Sequence, residues 1–264
     1  MIDPFSTVID QDQLRLQRGL NFYKADVFPT INPVHWLTSH FAVGGWSPLQ
    51  RLSGMLTAHM TAIAPHNGFT WHPHRGLEIF TYVIEGELYH EDTTGGKGII
   101  RAGEVQRMFS GAYIEHQELN RSDQEARVIQ IWYAADPQYM GLDPHYEQLK
   151  LAEMPSYEQG GGLIYPIIGI NGPADDHVAG ARLTATVVPA AEQTSVVLPA
   201  AGEDLFLYIV KGRGRITAVE LDDALLAEYD VLIATPDATG ATIAADTDLT
   251  FLSFYLPSFV PTAV

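Results

Sequence analysis

The sequence predicts an all-β protein built from two similar units in tandem, each a sandwich or barrel. Three observations carry this. Short runs rich in β-branched and aromatic residues recur between Gly, Pro and Asn turn signals, and no convincing long amphipathic helix interrupts them. A Pro-rich break at 134–162, ending in Gly160-Gly161-Gly162, separates two stretches of the same texture. Gly86 in the first stretch, and Gly212 and Gly214 in the second, each follow an apolar run, as a duplicated unit requires.

Taken in order, residues 1–32 are mixed and polar, with a short helix expected at Gln11–Arg18. Pro29 and Pro33 bracket a loop, and the segment to residue 53 reads as an irregular arm over the first unit. Within it, His35 and His40 read as hydrogen-bonded loop residues. The strands of the first unit are expected at Met55–Ala62, Phe69–His74, Glu78–Ile84, Glu87–Asp92, Gly98–Ile100, Val105–Ser110, Tyr113–Leu119 and Arg127–Tyr133. Thr93-Thr94-Gly95-Gly96 is a hairpin tip. In the second unit they fall at Arg182–Val188, Thr194–Leu198, Leu205–Lys211, Gly214–Val219, Tyr229–Ile233 and Leu249–Leu256. The expected division is therefore an arm at 1–53, a first domain at 54–145, a linker at 146–162 and a second domain at 163–264.

Charge and cysteine usage narrow the function. With 32 Asp+Glu against 15 Lys+Arg, the net charge is −17, and such a surface repels phosphate, so nucleic acid is not an expected partner. The chain has no cysteine, which removes disulfides, thiolate metal sites and thiol catalysis, and fits a reducing cytoplasm. The start carries no signal-peptide pattern, and the apolar end is broken by Pro257 and Pro261, so no membrane association is expected.

The chemistry concentrates between Trp71 and Asn120. His72 and His74 stand one residue apart, as do His116 and Glu118, and residues i and i+2 of a strand share a face. Two such pairs brought together would offer imidazole and carboxylate to a borderline divalent cation. Glu78, four residues beyond His74, is the alternative carboxylate; otherwise it supports a ligand histidine from behind. His90 and Asp92 read as hairpin hydrogen-bonders, Arg75 as a surface or capping cation and Asn120 as a turn residue. Met55, Phe80, Met108, Phe109 and Trp132 read as core, with any at the barrel mouth available to an aromatic ligand. The second unit lacks a His-x-His pair, and its one histidine is His177.

The stretches His72-Pro73-His74-Arg75-Gly76-Leu77-Glu78-Ile79, Thr81-Tyr82-Val83-Ile84-Glu85-Gly86 and Gly103–Asn120 resemble the two motifs of the pirin family, in the cupin superfamily. The run His90-Glu91-Asp92-Thr93-Thr94-Gly95 is similar to a pirin hairpin. The resemblance implies two tandem cupin barrels (double-stranded β-helix or jelly-roll), a bicupin. It implies one metal in the first barrel, held by His72, His74, His116 and Glu118: Fe(II) foremost, with Mn, Ni, Co, Cu or Zn as alternatives. It further implies a quercetin 2,3-dioxygenase-like activity on a small aromatic substrate and O2; for such a reaction Glu118 is the first candidate for the catalytic proton acceptor. The alternative is a non-catalytic, metal- or redox-sensing regulatory protein whose protein partner the sequence does not identify. The arm before Trp71 is longer than the family's usual lead-in, which bears on access to the pocket.

Overall fold

The computed structural model describes Leu14, residues 16–169, Gly172 and residues 177–260. Its first half holds β1 (Leu20–Tyr23), β2 (Thr30–Val34), β3 (Leu37–Val43), β4 (Met55–Ile63), β5 (Asn67–His74) and β6 (Leu77–Glu85). It continues through β7 (Glu87–Asp92), β8 (Lys97–Arg101), β9 (Glu104–Phe109), β10 (Ile114–Asn120) and β11 (Ala126–Ala134). The second half holds β12 (His145–Lys150), β13 (Tyr157–Gln159), β14 (Gly162–Ile168), β15 (Arg182–Val188), β16 (Gln193–Ser195) and β17 (Glu203–Lys211). It ends with β18 (Gly214–Ala218), β19 (Leu221–Leu226), β20 (Val231–Ala234), β21 (Ala241–Ala245) and β22 (Leu249–Pro257).

Each half supplies a seven-stranded and a four-stranded antiparallel sheet. The first barrel has the orders β12-β9-β6-β11-β4-β3-β2 and β5-β10-β7-β8. The second has β1-β20-β17-β22-β15-β14-β13 and β16-β21-β18-β19. Strand for strand the two match, so the expected duplication is present as two tandem barrels. The halves also exchange their first strands: β1 pairs with β20 of the second barrel, while β12 pairs with β9 of the first.

The seven-stranded sheets pack against each other. In β6, Phe80, Tyr82 and Ile84 point between the barrels, and in β17 Phe206, Tyr208 and Val210 meet them there in one buried cluster. The alternate residues face each barrel's own interior. Both strands are thus buried on two faces, which is why each is predominantly apolar and does not alternate with polar residues. Gly86 and Gly212 close these strands in the left-handed region, at φ +72 and +88. A Cβ on either would lie 2.5 or 2.2 Å from a backbone carbonyl oxygen, of Glu125 or Asp248, so only glycine fits the bend.

The barrel interiors differ. The second is filled by Leu205, Leu207, Ile209, Ile216, Ile243 and Phe251 among other apolar side chains. The first has small apolar clusters, one around Val83, Leu88 and Ile100 and one around Ile79, Met108 and Ile114, and buried polar groups between. Counting from the matched glycines, Thr81 stands where Leu207 stands, and His90 where Ile216 stands. Their partners across the sheet are Glu118 opposite His90 and Ile243 opposite Ile216. The second barrel has spent on packing the positions that the first gives to polar groups.

Two expectations need correction. The segment expected as an irregular arm over the first barrel contributes β1 to the second barrel and β2 and β3 to the first. Pro33 does not prevent β2, because β2 is an edge strand and Pro need not donate to a neighbour there. The expected linker contains β12 and β13, which are polar because they too lie at sheet edges. The helix expected at Gln11–Arg18 falls mainly outside the described residues, and residues 16–18 are not helical.

Candidate metal centre and its cavity

β5 presents His72 and His74 on one face, and β10 lies antiparallel beside it with His116 opposite His72 and Ile114 opposite His74. The three rings converge. Their centroids are 4.3 Å apart for His72 and His116, and 4.9 Å for His72 with His74 and for His74 with His116. One nitrogen of each lies within 4.8 Å of one nitrogen of the others.

The donor set fits a cation. His116 is buried, and both its ring nitrogens lack a hydrogen-bond partner, which a buried imidazole does not tolerate without a ligand. Burial, then the neighbouring His72, His90 and His74, push His116 down to about 2. Burial and His72 push His74 down to about 4. Both are therefore neutral near pH 7, with lone pairs available to a metal. His72 Nδ1 lies 2.8 Å from the Thr70 carbonyl, which can only accept. The proton is thus on Nδ1, and Nε2 is left bare.

Glu118 is 2 % exposed and held by two amides: Gln106 Nε2 donates to Oε1 at 2.6 Å and Gln130 Nε2 to Oε2 at 2.8 Å. The structure does not gather it with all three histidines; it groups Glu118 with His90 and His116. A β-bulge explains the offset. The β5–β10 register slips between His116 and Glu118, so Glu118 faces Phe69 rather than Thr70. His90 was read from sequence only as a hairpin residue. It does bond Asp92, Nε2 to Oδ2 at 2.8 Å, and Asp92 Oδ1 in turn accepts from Thr94 and Gly96. Its Nδ1 is nevertheless buried without a partner beside His116. The alternation His90-x-Asp92 was the available signal that this strand also faces inward.

Glu78 is committed elsewhere. Fully buried, it accepts from Arg107 Nε at 2.8 Å and Nη2 at 3.2 Å, and lies 2.7 Å from His177 Nδ1. It orients no member of the histidine trio; it ties the second half's histidine to the first barrel. His40, expected in a loop, is in β3 and bonds Tyr208 and the Ala25 carbonyl between the barrels. Asn120 caps a turn, accepting from Ser122. Arg75 lies over the Tyr113 ring at 4.8 Å. Met55, Phe80, Met108 and Phe109 are core, whereas Trp132 borders the site.

Beside the trio opens a cavity of about 600 Å³, reaching His72 and Glu118. That volume suits a small organic molecule. Phe41, Trp46, Leu56, Phe69 and Trp132 form apolar walls, while Thr57, His59 and Thr61, alternate residues of β4, add a polar row. Ile31 and Pro33 of β2 and Leu37, Ser39 and Phe41 of β3 also line it, so the segment before residue 54 builds the pocket wall. Among the described residues no helix is long and apolar enough to cross a membrane.

Two tandem barrels with a histidine trio in the first define a bicupin of the metal-binding kind. Comparison with known proteins gives the family. The Pirin family profile matches residues 46–133. A quercetin 2,3-dioxygenase of Escherichia coli O157:H7 is 32% identical over 84% of this chain and 90% of its own length. A pirin-like protein of Caulobacter vibrioides is 34% identical over 58% of this chain and 64% of its own. The crystal structure of the E. coli pirin YhhW in complex with nickel(II) superposes with a TM-score of 0.74, at 27% identity, covering 91% of this chain and all of that one (100%). The chain belongs to the pirin family.

Proposed function

We propose that this protein is a metal-dependent dioxygenase that opens the heterocycle of a flavonol such as quercetin with O2. One divalent metal, Fe(II) in our reading, would be held by His72, His74, His116 and Glu118 in the first barrel. The observation that carries the reading is three converging imidazoles, one with both nitrogens unpartnered, at the edge of an aromatic-walled cavity. Relatives named quercetin 2,3-dioxygenase support it.

When bound, the metal supplies Lewis acidity toward a substrate hydroxyl and redox chemistry toward O2. The chain's own residues do the rest. Phe41, Trp46, Phe69 and Trp132 offer ring faces and edges to a planar substrate and keep water from it. Glu118, whose carboxylate reaches the cavity, accepts the proton of the substrate hydroxyl. Gln106 and Gln130 fix that carboxylate's direction.

The test is purified protein loaded in turn with Fe, Mn, Ni, Co and Cu, given quercetin, with flavonol absorbance and oxygen uptake followed together. Turnover by at least one loaded form is expected. Full metal loading with no oxygen uptake under any metal removes the enzyme reading and leaves a metal-dependent regulatory protein.

A further inference from the structure

His59 is a half-buried histidine on the cavity wall to which the proposed chemistry assigns no role. Its hydrogen bonds define which nitrogen carries the proton. The Thr57 hydroxyl lies 2.8 Å from the Val43 carbonyl, and its single hydrogen goes there because a carbonyl only accepts. The Thr57 oxygen also lies 3.0 Å from His59 Nδ1. With its hydrogen committed, that oxygen can only accept, so His59 Nδ1 carries the proton and donates. Nε2 is then a bare lone pair, and no polar atom of the described residues bonds it. The ring is held flat against Phe41, with centroids 4.8 Å apart and planes at 20°. Across the sheet its partner is Gln130, the residue that donates to Glu118. Burial pushes the imidazole down to about 4, against the pull of Glu118, so it is neutral near pH 7.

We propose that His59 Nε2 is the acceptor for a second hydroxyl of the substrate, fixing which way an aromatic polyol lies beside the metal centre. The geometry selects a ligand with two hydroxyls, one at the metal side and one donating to His59, over an equally apolar ligand lacking the second. The polar row Thr57, His59 and Thr61 on β4 lines this cavity, and the relayed Val43–Thr57–His59 bonds hold the His59 ring in its wall. This assignment rests on the flavonol reading above.

The experiment uses the full chain loaded with Zn and kept free of O2, so that binding is read without turnover. Quercetin and flavonols each lacking one hydroxyl are titrated by quenching of tryptophan fluorescence, Trp46 and Trp132 being in the cavity wall. Wild-type protein is expected to bind one of these analogues about tenfold more weakly than quercetin. His59→Leu should erase that preference while leaving the other analogues' ranking intact. His59→Gln, which keeps an acceptor, should restore part of it. Because His59→Leu could fail to fold, Thr57→Val supplies a second arm. Loss of the Thr57 oxygen releases the tautomer, and the long-range ¹⁵N spectrum of the zinc form should change from a single Nδ1–H state to a mixture, with the preference weakened. Equal weakening of every analogue in His59→Leu, or an Nε2–H tautomer in wild type, overturns the proposal. Metal retained with no quercetin binding by wild type overturns the flavonol reading itself, and is told apart by the unaltered tautomer.

Discussion

Replacing Glu78 with glutamine separates the two roles that a carboxylate near a His-x-His pair could have. In the structure Glu78 is completely buried, and its oxygens face the Arg107 guanidinium, whose side chain is 2% exposed. Burial alone would lower the Arg107 pKa; Glu78, then Glu147, more than reverse that and hold it above its ordinary value. Glu78→Gln keeps the shape and one acceptor but removes the charge. Arg107 retains Glu147 at 2.8 Å, a partner 27% exposed and therefore partly screened. Breaking a buried pair from one side costs about 3–5 kcal/mol, and the residual amide bond and Glu147 place this substitution near the lower end. For a chain of this size the apparent melting temperature should fall by about 6–12 °C. Metal content, measured on the same preparation by elemental analysis, should equal that of wild type. Replacing both residues with methionine should recover much of the loss, since a buried pair exchanged for apolar groups of similar volume is often neutral. The reasoning is refuted if Glu78→Gln keeps its melting temperature and loses its metal.

Other expectations follow from the same geometry. Gln106→Leu and Gln130→Leu each leave one Glu118 oxygen without its donor, and metal affinity by chelator competition should drop about 10–100-fold; unchanged affinity in both would mean that Glu118 is not a ligand. His59 and His74, each about 4 in the fold against an ordinary 6.5, should stay neutral on acidification of the metal-free protein until near pH 4, as read by histidine NMR. Because the unfolded chain binds those protons first, each contributes stability that is complete above about pH 6.5 and declines toward pH 4; a histidine resonance at either position titrating near 6.5 contradicts this. Fragments 1–134 and 135–264 made separately should aggregate, since each loses the strand the other donates and bares the inter-barrel cluster; co-expressed, they should form one soluble complex. Soluble, monomeric halves would contradict the exchange.

The sequence made most of the fold readable because its inner strands carry strong signals. β7 and β15 lie where alternation and β-branched runs put them, and the long strands β6, β11, β17 and β22 differ only at their ends. Of the strands that escaped, β1, β2, β12, β13 and β19 are edges, whereas β3, β14 and β21 are interior. Thr30–Val34 contains a proline and His145–Lys150 is charged, properties that suit an edge and disguise a strand. β21, Ala241–Ala245, is short and made of alanine, threonine and isoleucine, so its composition gave no strong signal. At the site, the two-residue spacing put His72 and His74 on one face of their strand; His116 stands beside them through the pairing of β5 with β10. What spacing could not convey was the bulge between His116 and Glu118, which is a property of the pair of strands and not of either one. Nor could it convey the commitment of Glu78 to Arg107 and His177, which lie 29 and 99 residues away in sequence. Local pattern reads faces; which polar group meets which depends on contacts across the fold.

The most direct measurement is anomalous X-ray diffraction at the metal edge from crystals of protein purified without added metal and then soaked in a Ni or Fe salt. The account predicts one strong peak inside the first barrel, about 2.0–2.2 Å from a nitrogen of each of His72, His74 and His116, with a Glu118 carboxylate oxygen bound to the same ion. No peak there, or a peak with those three imidazoles splayed away from it, would contradict the account.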